Sequence, residues 1–285
     1  MKSLTADVAK PRADTSMITF ISLSNAVQVG FYRLSKFHWL LSWISPIALM
    51  IAWYAVSKAG WFPDQILVPP DVVWDAFNEI KDSGELQANL QISLFRLFTG
   101  FGLGVVSGLF FGVGLARSRT IQIYFGLLFD VLRQFPTLVL IPMFVLFFGI
   151  DEKLKIIIIV KSTFFPVAMA TKEAVRNIPP QYLELGKVYK LRPVTWFTKL
   201  ILPATLPSVL TGIRVALNRS WLILVAVELM AADIGIGQMM AMARQMLRLD
   251  IVMVGVILTG LIGFSLDKGI RLLERLVTYP QARDE

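Results

Sequence analysis

Three stretches of the chain, residues 40–56, 97–116 and 251–266, contain no charged residue at all. A helix rises about 1.5 Å per residue, so some 20 apolar residues cross the roughly 30 Å hydrocarbon layer of a bilayer. Runs of that length have no place in an ordinary soluble domain, where about a quarter of the residues carry charge. Here only 17% do, while 55% are hydrophobic and the mean hydropathy is +0.65. A membrane barrel would instead need alternating segments of about ten residues, and the apolar blocks do not alternate. The expected fold class is therefore all-α: a polytopic membrane helical bundle.

Six spans are expected, at about 39–57, 96–116, 121–148, 154–172, 206–231 and 251–274. The third holds Asp130, Arg133, Pro136 and Pro142, the fourth Lys161 and Pro166, and the fifth Arg214, Arg219 and Glu228. Lys and Arg crowd one set of connections: Arg117 and Arg119, then Lys172, Arg176, Lys187, Lys190, Arg192 and Lys199, then Lys268, Arg271 and Arg275. The loop after the first span is acidic, with Asp64, Asp71, Asp75, Glu79, Asp82 and Glu85. Basic loops stay on the cytoplasmic side, so both termini are expected there. Residues 1–37 read as a cytoplasmic tail, with a surface helix over 17–36. Asp7, Lys10, Arg12 and Asp14 interrupt any hydrophobic run that a signal peptide would need. The membrane domain is then 38–277, followed by a short cytoplasmic tail over 278–285.

The net charge of +8 belongs to these basic loops and does not point to nucleic acid. With no cysteine and one histidine, His38, there is neither a disulfide framework nor a metal-ligand cluster, and no cofactor is expected on this chain. His38 sits where the first span begins, the place of a snorkelling interfacial residue.

The second span carries Gly100, Gly104, Gly108 and Gly112 on one helical face. Such a stripe lets another helix approach closely, within the subunit or along the pathway of a solute. Ionisable groups at membrane depth cost a few kcal/mol each and face a partner or water. Arg133, Lys161, Arg214, Arg219 and Glu228 are of this kind. Internal pairing would join Asp130 to Arg133, and Glu228 to Lys161 or an arginine. Alternatively, the cationic groups draw an anionic solute inward, with Arg133, Lys161, Arg214 and Glu228 as pathway candidates.

The connection over 172–205 is too polar to span. Residues 182–191 can form a short helix opened by Pro179-Pro180, since proline at the first turn lacks only a donor that would have no partner. Pro193 closes it. An ordered helix between two spans calls for a soluble partner to dock on it, or else for a place on the lipid surface.

At this loop the sequence resembles the permeases of binding-protein-dependent ATP-binding-cassette importers, in particular the sulfonate, taurine, nitrate and bicarbonate group. Their loop motif runs Glu-Ala-Ala, three residues, Gly, nine residues, a branched apolar residue, one residue, Leu-Pro. Glu184 stands at its first position and Leu202-Pro203 at its last; Leu185 and Gly186 replace the alanines and Lys190 the glycine. Further matches extend over 67–277. They are Leu67-Val68-Pro69-Pro70, Arg133-Gln134-Phe135-Pro136, Leu140-Ile141-Pro142, Phe147-Phe148-Gly149-Ile150 and Lys155-Ile156. Then come Leu206-Pro207-Ser208, Gly212-Ile213-Arg214, Trp221, Ala226-Val227-Glu228 and Gly235-Ile236-Gly237.

The resemblance implies a half-transporter: two permease copies, with a homodimer expected, form the pathway. Two ATPase subunits hold the ATP and magnesium, and a periplasmic binding protein delivers the solute, a small anionic organic molecule such as a sulfonate. Tyr182, Glu184, Gly186, Lys190, Leu191 and Pro203 would couple to the ATPases. The chain itself has no G-x-x-x-x-G-K-[ST] phosphate loop, consistent with energy arriving by contact. Two other readings compete. A channel or secondary transporter would use broken helices near Pro136, Pro142 and Pro166 and need no ATPase. A membrane-embedded enzyme would need a catalytic constellation that one histidine and no cysteine poorly supply.

Overall fold

The computed structural model describes residues 43–61, 63, 67–189 and 191–278. The tail and surface helix expected over 1–37, His38, Lys190 and the end of the chain past 278 lie outside them. Two compact units divide at Pro69 and Pro70. In the first, α1 (Ile44–Lys58) is a short apolar helix. Its Trp53 Nε1 donates to the carbonyl of Val68 at 3.1 Å, tying the following loop back to the helix.

The second unit opens with α2 (Pro70–Asp82), which buries Val73, Ala76 and Ile80 and turns Asp75 outward. Gly84, at φ 79°, makes the turn into α3 (Glu85–Arg117). Few residues other than glycine adopt that backbone angle cheaply. At 33 residues, α3 is about 50 Å long and exceeds the hydrocarbon layer. The expected span began at 96; the structure begins the helix eleven residues earlier, because the polar turn from Glu85 to Gln91 is helical beyond the apolar stretch.

The glycine stripe packs α3 against α6 (Glu152–Arg176). A side chain added at Gly100 would meet Ile159, at Gly104 Thr163, at Gly108 Val167, and at Gly112 Thr171 and the Ala168 carbonyl. Each step of four along α3 is a step of four along α6, so the two helices run parallel with their backbones in close approach.

Between them, the expected single span 121–148 is broken. Arg119–Leu132 forms α4, with Ser118 Oγ accepting from the Ile121 amide at 3.2 Å as its N-cap. Thr137–Phe148 forms α5 at 98° to it. Pro136 causes the elbow: its ring disfavours helical backbone at Phe135, and it has no amide to donate.

Past α6, the short helix α7 (Pro180–Val188) starts on Pro180 and ends three residues before the expected boundary. Pro193–Trp196 (α8) passes through a π turn, Phe197–Ile201, into α9 (Leu202–Ala231). Helix therefore resumes well before the expected residue 206, since Pro203 sits in the first turn where proline is tolerated. Then α10 (Ile236–Gln245), a helix between the expected spans 206–231 and 251–274, leads to α11 (Leu249–Thr278). Arg248 fixes this corner, donating to Glu79 of α2 at 2.6 and 3.1 Å.

Four of these helices are long and apolar enough to cross a membrane, or five with the bent pair taken as one span; α1 is a shorter apolar helix. No strand occurs among the described residues. The core joins α3, α6, α9 and α10 through Leu97, Ile159, Leu217, Trp221, Leu224, Ile236 and Met240. Within it Ser220 Oγ lies 2.8 Å from Ser162 Oγ and 2.7 Å from Thr163 Oγ1. Such hydroxyl pairs join helices where water cannot.

Candidate functional site

Three places in the bundle concentrate polar groups. The first is sealed. Arg96 of α3 is only 1% exposed. Its Nε and Nη2 each donate to the Glu152 carboxylate at 2.6 Å, and Nη1 donates to Glu228 at 2.8 Å and to the Ile234 carbonyl at 2.6 Å. Glu228, also 1% exposed, accepts from Ser93 Oγ at 2.7 Å and from the Gly237 amide at 3.1 Å. Asn89 takes the Gly235 amide at 2.7 Å, and Ser93 the Ile236 amide at 3.0 Å. Lys155 adds a second cation, donating to Glu152 at 2.9 Å. The Gly235-Ile236-Gly237 turn has to be glycine-rich. A Cβ at Gly235, where φ is 139°, would stand 2.5 Å from the Glu228 carboxylate, and one at Gly237 2.5 Å from the Val225 carbonyl. The network thus locks α3, α6, α9 and the start of α10 together, every partner satisfied.

The second place is open. A cavity of about 640 Å³ lies between the α4–α5 elbow, α6 and α9, lined among others by Arg133, Gln134, Glu173, Asn177, Ser208 and Arg219. Arg133 pairs with Asp130 at 3.1 Å and keeps a third of its side chain exposed. Arg219 is exposed and has neither a hydrogen bond nor an ion pair among the described residues. The elbow that carries Arg133 is held by Lys161, whose Nζ donates to the Phe135 carbonyl at 3.1 Å and to Thr137 Oγ1 at 3.2 Å, 5.5 Å from the Phe165 ring centre.

The four pathway candidates are therefore not brought together. Arg133 lines the cavity; Lys161 is engaged at the elbow behind it. Arg214 is bound to α11, donating to Glu274 at 3.0 Å and lying 3.9 Å from Asp267. Glu228 is buried, with an arginine as its partner and not Lys161. That arginine, Arg96, was not counted among the membrane-depth charges because it stands at the first residue of the expected span. Its spacing from Glu228, 132 residues, carries no local signal. Asn89, Ser93 and Glu152 were missed for the same reason.

The third place is α7 with its flanks. Tyr182 and Glu184 are exposed on it. Gly186 is where a side chain would overlap the Trp196 indole, and its carbonyl accepts from the Leu191 amide at 3.2 Å. Trp196 in turn lies under the Arg117 guanidinium at the end of α3, 5.6 Å from ring centre to carbon. Pro203, the last coupling candidate, already belongs to α9. Arg176 at the end of α6 donates to Gln122 at the start of α4. Basic ends of α3 and α6 thus meet near one short, outward-facing helix.

Long apolar helices packed through glycine, with one broken pair and a short helix standing between two spans, make the chain a polytopic membrane bundle. Comparison with known proteins places it more closely. The chain belongs to the family described as binding-protein-dependent transport system inner membrane component, which it matches over residues 104–279. It is 38% identical over 241 residues to the Escherichia coli (strain K12) permease SsuC, named for aliphatic sulfonate transport, covering 84% of this chain and 92% of that one. It is 35% identical to the SsuC of Bacillus subtilis (strain 168), covering 84% and 87%. Against the Escherichia coli (strain K12) taurine transport permease TauC the identity is 31%, covering 81% and 86%.

In fold it is similar to a chain of the inward-facing MetNI methionine ABC transporter, at TM-score 0.52, 21% identity, and 66% and 94% coverage. It is also similar to a chain of an amino acid ABC transporter, at 0.55, 15% identity, and 70% and 97% coverage. The protein is accordingly an importer permease, a multi-pass inner-membrane subunit and not an enzyme. It works with ATPase and solute-binding partners.

Proposed function

We propose that the cargo is a small organic sulfonate, carried between two copies of this chain. The observation that carries this reading is the open, cation-lined cavity between α4–α5, α6 and α9, in a chain whose relatives are named for aliphatic sulfonate and taurine transport. A cation held in a low-dielectric wall attracts an anion far more strongly than one in water. Two ATPases would grip α7 through Tyr182, Glu184 and Gly186, with Lys190 and Leu191 beside them and Pro203 in the helix that follows. ATP and magnesium then stay on those partners, and their closure would rock α6 and α9 as rigid bodies. The Lys and Arg surplus at the end of the bundle that carries α7 supports both termini facing the cytoplasm.

The test is uptake of labelled ethanesulfonate into proteoliposomes holding the permease, its ATPase and its binding protein. Uptake is expected to need ATP and the binding protein, and to be competed by other sulfonates but not by neutral amino acids. Import without ATP, or indifference to sulfonate competitors, overturns the assignment. The chain contains no cysteine, so Tyr182→Cys supplies a clean probe of sidedness. It is expected to react with an impermeant thiol reagent only from the ATPase side.

A further inference from the structure

We propose that the cavity holds a solute-binding site inside the membrane, in which Arg219 receives the anionic head group and Arg133 faces the same space. This rests on the cargo being an anion and specifies where that anion pauses.

Arg219 stands between two committed neighbours. Asn218 donates to Asp267 of α11 at 3.1 Å, and Ser220 is buried against Ser162 and Thr163 of α6. These bonds fix the rotation of α9, so the residue between them is turned toward the cavity. It is left there without a counter-ion among the described residues. A lone cation at membrane depth costs a few kcal/mol. Elsewhere in this bundle that cost is offset: Arg96 has Glu152 and Glu228, and Arg214 has Glu274. Arg133 is half-way, paired with Asp130 at the surface of the elbow. A guanidinium left unpaired in a cavity has its five donors free for a tetrahedral or planar oxyanion.

The cavity is also polarised. The helices α6 and α9 run antiparallel, with Gly212 against Ala170 and Ser220 against Ser162. Arg219 therefore lies level with about residue 163 of α6. Glu173, which lines the same cavity, sits ten residues further toward α7, about 15 Å at helical rise. An anion in this space is driven away from the carboxylate and toward the arginine end. At about 640 Å³ the volume is in the range of small-molecule sites and leaves room for a small sulfonate with water.

The experiment uses the full complex in nanodiscs and proteoliposomes, with ethanesulfonate as solute. Arg219→Gln is expected to lower uptake at limiting sulfonate about tenfold or more, as loss of a charged hydrogen-bond partner does. Assembly and binding-protein-stimulated ATP hydrolysis should stay within about twofold, and Arg219→Lys should restore part of the uptake. A second readout does not depend on transport. In Val215→Cys, an exposed cavity position one helical turn from Arg219 in a cysteine-free chain, an anionic methanethiosulfonate reagent should react faster than a neutral one of similar size. Ethanesulfonate should protect the thiol, and adding Arg219→Gln should abolish both effects. Equal labelling by the two reagents, or wild-type uptake in Arg219→Gln, overturns the site while leaving sulfonate import standing. If the wild-type complex imports no sulfonate, the cargo assignment and the site fall together.

Discussion

The sealed network around Arg96 and the open cavity around Arg219 use the same residue types within one bundle, yet they do opposite things. At Arg96 all three guanidinium nitrogens donate to a carboxylate or carbonyl, and α3, α6, α9 and the turn at Ile234 are held together as a result. At Arg219 the guanidinium has no described partner and faces space. The difference teaches that charge at membrane depth is not itself a sign of transport. What matters is whether the charge is already neutralised, because only an unneutralised group has interaction energy left for a solute.

The comparison breaks most directly at Arg96. Replacing it with Met leaves Glu152 to Lys155 but strands the buried Glu228 without its cation, and stranding a buried charge costs about 3–5 kcal/mol. Arg96→Met is expected to give little or no folded protein after detergent extraction, measured by size-exclusion profile and thermal unfolding. Arg219→Gln should extract and melt like the parent chain. Adding Glu228→Gln to Arg96→Met should recover part of the loss, since residues sharing a network do not act additively. Equal melting of Arg96→Met and Arg219→Gln would erase the distinction between the two sites.

A smaller effect is expected from the glycine seam that holds α3 to α6 between the sealed and open regions. Gly112→Val would push a side chain to within 2.5 Å of the Ala168 carbonyl, and overpacking of this kind costs about 1–3 kcal/mol. Melting should fall, whereas the same change at Gly102, where nothing lies within 4 Å, should leave packing intact. If the two variants melt alike, the seam is looser than the structure shows.

Lys161 comes next, because it borders the cavity yet is engaged. Lys161→Met removes two hydrogen bonds at the elbow, worth about 1 kcal/mol each. Melting is expected to drop modestly and uptake to slow at unchanged KM, with partial rescue by Lys161→Arg. A rise in KM with unchanged melting would instead make Lys161 a solute contact, and would move the boundary of the open region.

Much of the architecture was legible before any coordinates. The charge-free blocks announced their helices, since nothing else satisfies a backbone in lipid. The four-residue period of Gly100, Gly104, Gly108 and Gly112 announced a close helix contact. Pro180 opened α7 where proline at a first turn should, and Asp130 and Arg133 pair at i, i+3 as their spacing allowed. What could not be read was long-range. The elbow at Pro136 was hidden because a proline in an apolar run can kink, end or merely decorate a helix, and only packing decides. Sorting the arginines failed for a similar reason. Arg96, Arg133, Arg214 and Arg219 look alike in sequence, and the partners that neutralise Arg96 and Arg214 lie dozens of residues away.

The mildest test sets the same Arg–Glu chemistry in water. Arg248 and Glu79 form a two-pronged pair at 2.6 and 3.1 Å, reinforced by Asp250 at 2.8 Å, but their side chains are 37% and 58% exposed. The hydrogen bond and charge of Arg248 hold the Glu79 carboxyl below its ordinary value of 4.5. The guanidinium is stabilised in return, chiefly by its bonds to Glu79 and Asp250. A carboxylate with a depressed pKa stabilises the fold above its unfolded value and loses that contribution as the pH falls through the folded one. Melting should therefore decline slightly as the pH drops below 4.5, and Glu79→Gln should remove that part of the decline while changing little at neutral pH. Solvent and salt screen such a pair, so raising the ionic strength should shrink the effect further, whereas the melting difference between Arg96→Met and the parent chain should hold. If Glu79→Gln at neutral pH proved as damaging as Arg96→Met, burial would not be what separates a structural charge from one left free for a solute.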